Sequence, residues 1–356
     1  MSNNYQLKRL PSQHHHSLKA WNAADELMIK EMGDQKGSLA IYNDGFGYLT
    51  CQLADQAPLV ITDLKSQKDA IQLNAKGLDK KINDSQFLGL LDTVSKPIDV
   101  GLLKIPKVLD LFEMYLQHIH QSLTTNGTVY CGFMTKHFSK GILKLAEKYF
   151  DTISQSKAEK KARVLILTGK KEVKLSENIE NFTYNNSDIK QYKGIFSGGK
   201  IDAATNYLLQ NISVPYLAET VLDLACGNGV IGQWILDHTK AKSVCFLDDS
   251  FLAIESAKLN VSSDKAKFEQ NFQLNNIKND SLDWIVSNPP FHFEHTIDIS
   301  IPLDLFNQAY QKLNKDGTLT LVANANLGYE SQLKKIYRSV KVLTSNQQFK
   351  VYECRK

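Results

Sequence analysis

No apolar run in this 356-residue sequence reaches the ~18–20 residues that a helix needs to cross a bilayer. The opening Met1-Ser2-Asn3-Asn4 is polar and has no secretory apolar region, so a cytoplasmic protein without a membrane partner is expected. Cysteine is scarce. The five residues Cys51, Cys131, Cys226, Cys245 and Cys354 are odd in number, scattered and mostly set in apolar strand patterns, which reads as reduced core thiols rather than disulfides or a metal site. His14-His15-His16 is taken as a solvated surface run, and no metal is expected. A strong charge excess is missing too: 42 Lys+Arg stand against 38 Asp+Glu. The small surplus is uneven, with 22 basic against 17 acidic residues in 1–170 and 20 against 21 in the remainder. Its densest cluster, Lys157, Lys160, Lys161, Arg163, Lys170 and Lys171, fits either a solvated linker face or a contact with nucleic-acid phosphates.

What the chain does have is organised around Val221-Leu-Asp-Leu-Ala-Cys-Gly-Asn-Gly-Val-Ile-Gly232. An apolar run breaks into glycines and resumes at helical spacing, predicting a buried strand, a tight turn and a helix start. Gly227 and Gly229 allow positive φ and close approach of a ligand at the positive end of the helix. The same residues match a dinucleotide fingerprint, so the turn alone leaves NAD open. Ser243 to Leu247 then ends at Asp248-Asp249, where an acid can accept hydrogen bonds from ribose hydroxyls. Asn288-Pro289-Pro290-Phe291 decides between the readings. It follows the strand pattern Leu282 to Ser287, at the carboxyl end beside a ligand crevice, and dehydrogenases have no use for it.

The first half repeats this plan faintly. Leu39 to Gly47 occupies the place of strand and glycine turn, Leu59 to Asp63 that of strand and acid, and Asp69 to Asn74 that of the helix ending at Asn260. Lys104-Ile-Pro-Lys107 stands where Asn288-Pro-Pro-Phe291 stands later, and Leu123 to Val129 echoes Leu313 to Leu319. Alternating strands and helices in both halves predict two α/β domains of one plan, the first stripped of its chemistry. An amphipathic helix is expected over 17–32, a connector with a hairpin over 177–188, and a terminal hairpin from Val340 to Tyr352. The boundary is placed within 170–185, giving domains 1–175 and 176–356.

On these residues the C-terminal half resembles S-adenosylmethionine-dependent methyltransferase domains, and Asn288-Pro-Pro-Phe291 resembles the motif of members that methylate exocyclic or amide nitrogens. With Ala20-Trp21, Asn43-Asp44, Lys104 to Lys107 and the Phe196-Ser197…Ile201-Asp202 segment, nearly the whole chain is similar to the ribosomal RNA guanine-N2 methyltransferases. Gly198-Gly199-Lys200 departs from that pattern, where an Arg-containing turn is expected. The resemblance implies two tandem Rossmann-like class I methyltransferase domains, the first degenerate and positioning RNA. It implies S-adenosyl-L-methionine as cofactor and 23S ribosomal RNA as partner. The alternatives are a 16S enzyme of the same chemistry and a non-catalytic RNA-binding protein. Implied catalytic residues are Asn288 and Pro289, which accept the N–H groups of the amine, and Phe291, which stacks on the base unless it is a core aromatic. Implied cofactor contacts are Asp223 with the amides around Gly227 and Gly229 for the methionine end, Asp248 for ribose, Asn271 for adenine, Asp202 on a closing loop, and Asn288.

Overall fold

A computed structural model of the chain describes residues 7–11, 19–216, 218–289, 292–293, 296–297 and 300–356. It divides into two compact units, Met1–Asn178 and Ile179–Lys356. The first contains α1 (Ala23–Met32), β1 (Leu39–Tyr42), α2 (Tyr48–Gln52), β2 (Leu59–Ile61), α3 (Lys65–Gly77), β3 (Phe87–Leu88), β4 (Ile98–Lys104), α4 (Leu109–Ser122), β5 (Leu123–Met134), α5 (Lys140–Tyr149), β6 (Phe150–Gln155) and β7 (Ala162–Lys170). The second opens with hairpin β8 (Ile179–Tyr184) and β9 (Ser187–Tyr192), followed by α6 (Ala203–Asn211), β10 (Thr220–Leu224), α7 (Val230–His238), β11 (Ser243–Asp248), α8 (Phe251–Asn260) and β12 (Ala266–Gln270). It continues with β13 (Leu282–Ser287), β14 (His292–Phe293), β15 (Thr296–Ile297), α9 (Ser300–Lys312), β16 (Leu313–Asn324), α10 (Tyr329–Ile336), β17 (Ser339–Ser345) and β18 (Phe349–Arg355).

The two large sheets have one strand order: β3-β2-β1-β4-β5-β7-β6 and β12-β11-β10-β13-β16-β18-β17. Each is parallel except for one reversed strand, β7 or β18, hydrogen-bonded between its neighbours. The likeness of the two sheets reaches single residues. Pairing of the fourth strand with the fifth slips between Ile98 and Val100 and again between Leu282 and Trp284, and the residue skipped is an aspartate both times. Asp283 accepts from the amides of Glu219 (3.1 Å) and Thr220 (2.9 Å), the Thr220 hydroxyl (2.8 Å) and Asn314 (2.7 Å). Asp99 accepts from the amide and hydroxyl of Ser38 (2.9 and 3.0 Å) and from Thr124 (3.1 Å). Burial would raise the Asp283 carboxyl, but bonds from Thr220, Asn314 and Glu219 outweigh it and hold the group below its usual range.

In the second unit, alternation along β10 sends Val221 towards α6, α7 and α8, in a cluster with Phe246, Trp284, Ile231 and Leu208. Leu222 and Leu224 face the opposite way, into a cluster with Phe306, Tyr329 and Leu333 of α9 and α10. A strand covered on both faces is a nearly continuous apolar run, which is why Val221 to Leu224 was legible, with Asp223 its one polar residue. Helix α1 starts later than its pattern because Asn22 caps it: the Asn22 side chain accepts from the Ala24 amide (2.9 Å) and Asp25 accepts from the Asn22 amide (2.8 Å). The polar stretch 177–188 forms the β8–β9 hairpin, turned at Asn185 and Asn186 with φ of 47° and 63°. All five cysteines are free. Among the described residues no helix is long and apolar enough to cross a membrane, and no group of three His, Cys, Asp or Glu could hold a metal ion. His14 to His16 lie outside the described residues.

Candidate active site

The turn between β10 and α7 is wound through left-handed conformations at Ala225 (φ 60°), Gly227 (55°) and Gly229 (81°). Gly229 has a second constraint, since a Cβ there would lie 2.9 Å from the Cβ of Ala257. The amides near the glycines are already used: Gly227 donates to Asp248 Oδ2 (2.9 Å) and Gly229 to the Cys226 carbonyl (2.9 Å). Space is open where a Gly227 side chain would stand. The other Asp248 oxygen accepts from the Ser250 amide (2.9 Å), so the acid ending β11 clamps the glycine turn to the start of α8. Ser250 caps that helix, accepting from the Ala253 amide (3.1 Å).

Asp223 sits wholly buried on β10. Its Oδ2 accepts from the Gly232 amide (2.8 Å), while Oδ1, also buried, has no hydrogen-bond partner among the described residues. Burial pushes the carboxyl up to about 7; the Gly232 amide opposes the shift and the nearby Asp248 charge adds to it. An unpaired buried acceptor of this kind suits a cationic ligand group. Asn271, after β12, is buried, donating to Glu269 (3.2 Å) and Asn275 (3.0 Å) and accepting from the Gln273 amide (3.2 Å), which shapes the loop wall rather than leaving its side chain open.

At the end of β13, the Ser287 hydroxyl ties the strand to the Leu224 carbonyl (2.7 Å). Asn288 follows, half-buried, its Nδ2 donating to Asp202 Oδ2 (2.8 Å) and Thr205 Oγ1 (2.9 Å). The buried Oδ1 has no partner among the described residues. Pro289 is buried, and Phe291 lies outside the described residues. Asp202 caps α6, taking the Thr205 amide on the same oxygen (2.9 Å). Sequence reading missed Thr205, Ser287 and Gln191, which accepts from the turn residue Asn228 (2.9 Å). The spacing Asp202-x-x-Thr205 was a legible cap signal for the first of these.

Register places each counterpart in the first unit. Ile41 stands for Asp223, Thr62 for Asp248, Leu90 for Asn271 and Lys104 for Asn288. The acid expected after β2, Asp63, is therefore one residue past the ribose position. Asn228 becomes Phe46, buried with the Arg9 guanidinium 4.6 Å from its ring centre. The scaffold bonds persist where the polar site does not: Asn74 donates to the Phe46 carbonyl as Asn260 does to that of Asn228, both at 2.8 Å.

A glycine turn after the first strand, an acid after the second and Asn-Pro after the fourth, on a sheet with one reversed strand, define a class I methyltransferase. Residues 1–172 match the family described as RLMG N-terminal domain, and residues 186–353 the Methyltransferase small domain. The ribosomal RNA large subunit methyltransferase G of Colwellia psychrerythraea (strain 34H / ATCC BAA-681) is 31% identical over 373 residues, covering 96% of this chain and 95% of its own. That of Klebsiella pneumoniae (strain 342) is 30% identical over 360 residues, with coverage of 97% and 94%. The chain belongs to this methyltransferase G family. Among solved structures, the 16S rRNA N2 methyltransferase of T. Thermophilus, in complex with AdoMet and guanosine, superposes with a TM-score of 0.79 at 19% identity, over 94% of this chain and 92% of that one. At that identity the likeness is one of fold.

Proposed function

We propose that the second unit transfers a methyl group from S-adenosyl-L-methionine to the N2 exocyclic amine of a guanine in 23S ribosomal RNA, with the first unit positioning the RNA. The observation that carries the chemistry is the Asn288 side chain, whose buried Oδ1 has no partner among the described residues, with the acceptor carbonyl of Pro289 next along the chain. A guanine amine is a poor nucleophile because its lone pair is delocalised into the ring. Two acceptors at one strand end take its two N–H groups, turn the lone pair out of the ring plane and stabilise the positive charge that develops on nitrogen. No strong base is needed, because the methylated amine is acidic enough to lose its proton to water. A protein that only binds RNA has no use for such an acceptor pair.

The residues present fit the cofactor, since Asp223 offers its orphaned Oδ1 to an ammonium and the space at Gly227 admits a ligand to the turn. When bound, the cofactor supplies an electrophilic sulfonium methyl. Asp223 and the Gly227–Gly229 turn hold its amino-acid end, Asp248 accepts from ribose hydroxyls with its remaining lone pairs, and the Asn271 loop walls the adenine. Phe291 stacks on the base taken from its helix, worth about 1–3 kcal/mol. The large subunit is preferred because the curated relatives carry that substrate in their names. Mass-spectrometric mapping of methylated guanines in ribosomal RNA, from cells with and without the chain, tests the proposal. One large-subunit guanine should lose its N2 methyl group; an unchanged large-subunit map overturns the reading.

A further inference from the structure

We propose that Asp202 and Thr205 are positioning residues that fix which end of the Asn288 amide faces the substrate. The inference rests on the reading of Asn288 as the amine-orienting acceptor. The oxygen and nitrogen of an asparagine side chain are nearly the same size, so packing alone does not choose between the two flips. Turned one way, Asn288 presents an acceptor to an amine; turned the other way, it presents a donor and the chemistry stops. The neighbours decide. An ionised Asp202 has only lone pairs, so only Nδ2 can lie 2.8 Å from its Oδ2. The second Nδ2 hydrogen goes to Thr205 Oγ1 at 2.9 Å, which leaves the buried Oδ1 as the end not engaged by Asp202 or Thr205. Asp202 does not drift, because the same oxygen takes the Thr205 amide at 2.9 Å and caps α6. A carboxylate behind the amide also polarises it, making Oδ1 a stronger acceptor for a nitrogen that is gaining positive charge.

The first unit separates fastening from orienting. At the matching place, the end of β4, Lys104 Nζ lies 3.0 Å from Asp25 Oδ2 in the first turn of α1. An acid on the helix ahead of the first strand thus holds the end of the fourth strand in both halves. A lysine suffices for holding. Only in the second unit does the held side chain have two unlike ends, and there a hydroxyl is added to consume the second hydrogen.

The test uses the full chain, S-adenosylmethionine labelled in its methyl group, and large-subunit ribosomal RNA lacking the modification. Asp202→Asn keeps size and capping ability but lets either flip of Asn288 find a partner. It should lower kcat about 10–100-fold with KM for RNA, cofactor Kd and thermal midpoint near native. Thr205→Val should lower kcat by about tenfold or more, and Thr205→Ser should restore it. The exchange Asp202→Asn with Asn288→Asp rebuilds the bond with its polarity reversed and leaves one carboxylate oxygen facing the amine. It should be more active than Asn288→Asp alone, which sets two carboxylates against each other. Native kcat in both Asp202→Asn and Thr205→Val, with Asn288→Ala inactive, overturns the orienting role while sparing the acceptor role. Native kcat in Asn288→Ala overturns the acceptor reading itself. Loss of cofactor binding in Asp202→Asn would make Asp202 a cofactor ligand and also defeat the proposal.

Discussion

Asp223 joins burial, charge and ligand binding in one carboxyl. With its pKa pushed up to about 7, it is largely protonated at pH 6 and largely ionised at pH 8. Only the ionised form pairs with a ligand ammonium, so affinity for S-adenosylmethionine should fall as pH drops below 7, by up to about tenfold per unit. Calorimetric titration between pH 5.5 and 8 checks this, and Asp223→Asn should bind weakly with a flat profile. Without ligand the sign is opposite: a carboxyl raised on folding stabilises the protein below its unfolded value, and that contribution is lost as pH rises through 7. Asn288→Ala belongs at this scale too. Loss of one acceptor engaged mainly as the amine pyramidalises should lower kcat about 10²–10³-fold, with cofactor affinity unchanged by calorimetry.

Among the elements, helix α7 lies close against its sheet at Gly232. A Cβ at Gly232 would lie 2.1 Å from the Phe246 ring, and the Gly232 amide is the one that holds Asp223. Gly232→Ala should therefore cost about 1–3 kcal/mol by overpacking, read by urea unfolding, and weaken cofactor binding as the Asp223 bond stretches. The bulge aspartates give a second prediction: Asp283→Ala should destabilise the second unit by about 1–3 kcal/mol at neutral pH. Because folding lowers the Asp283 pKa, that deficit should shrink as pH falls below about 4. Strands β10 and β13 were legible because both faces are buried and glycine or proline follows their ends, and α7 because Gly227 and Gly229 mark its start. Edge strands β6 and β12 were not, since their exposed and half-buried residues Asp151-Thr-Ile-Ser154 and Lys267-Phe-Glu269 carry no run of apolar side chains. The site was legible residue by residue where one segment held the signal, as at Asp223 and Asn288. Beyond its cap spacing, the bond of Thr205 to Asn288 was invisible because the two are 83 residues apart and only folding brings them together. The acid of β2 was misplaced by one residue because Thr62 and Asp63 are separated only by strand register.

For the whole molecule, the two halves divide labour if the first is a degenerate copy. Residues 1–178 should bind no S-adenosylmethionine, since Ile41, Thr62, Leu90 and Lys104 replace the polar site, and titration of the isolated unit checks this. The same unit should bind RNA with a steep salt dependence and little sequence preference, as lysine–phosphate contacts release counterions. Part of its basic cluster is already committed, with Lys160 3.1 Å from Glu26, which leaves Lys157 and Lys161 as the stronger candidates. Residues 179–356 alone should bind cofactor yet methylate RNA poorly; full activity without the first unit would reduce that unit to a structural partner. One strand order written twice in a single chain also bears on how the protein is made. During synthesis the first copy has roughly 10–35 s to close before the second is complete, at 5–20 residues per second. Refolding from denaturant removes that head start. Strands of one copy then meet the other's half-built sheet as plausible neighbours, so recovery of the full chain should trail that of either half refolded alone.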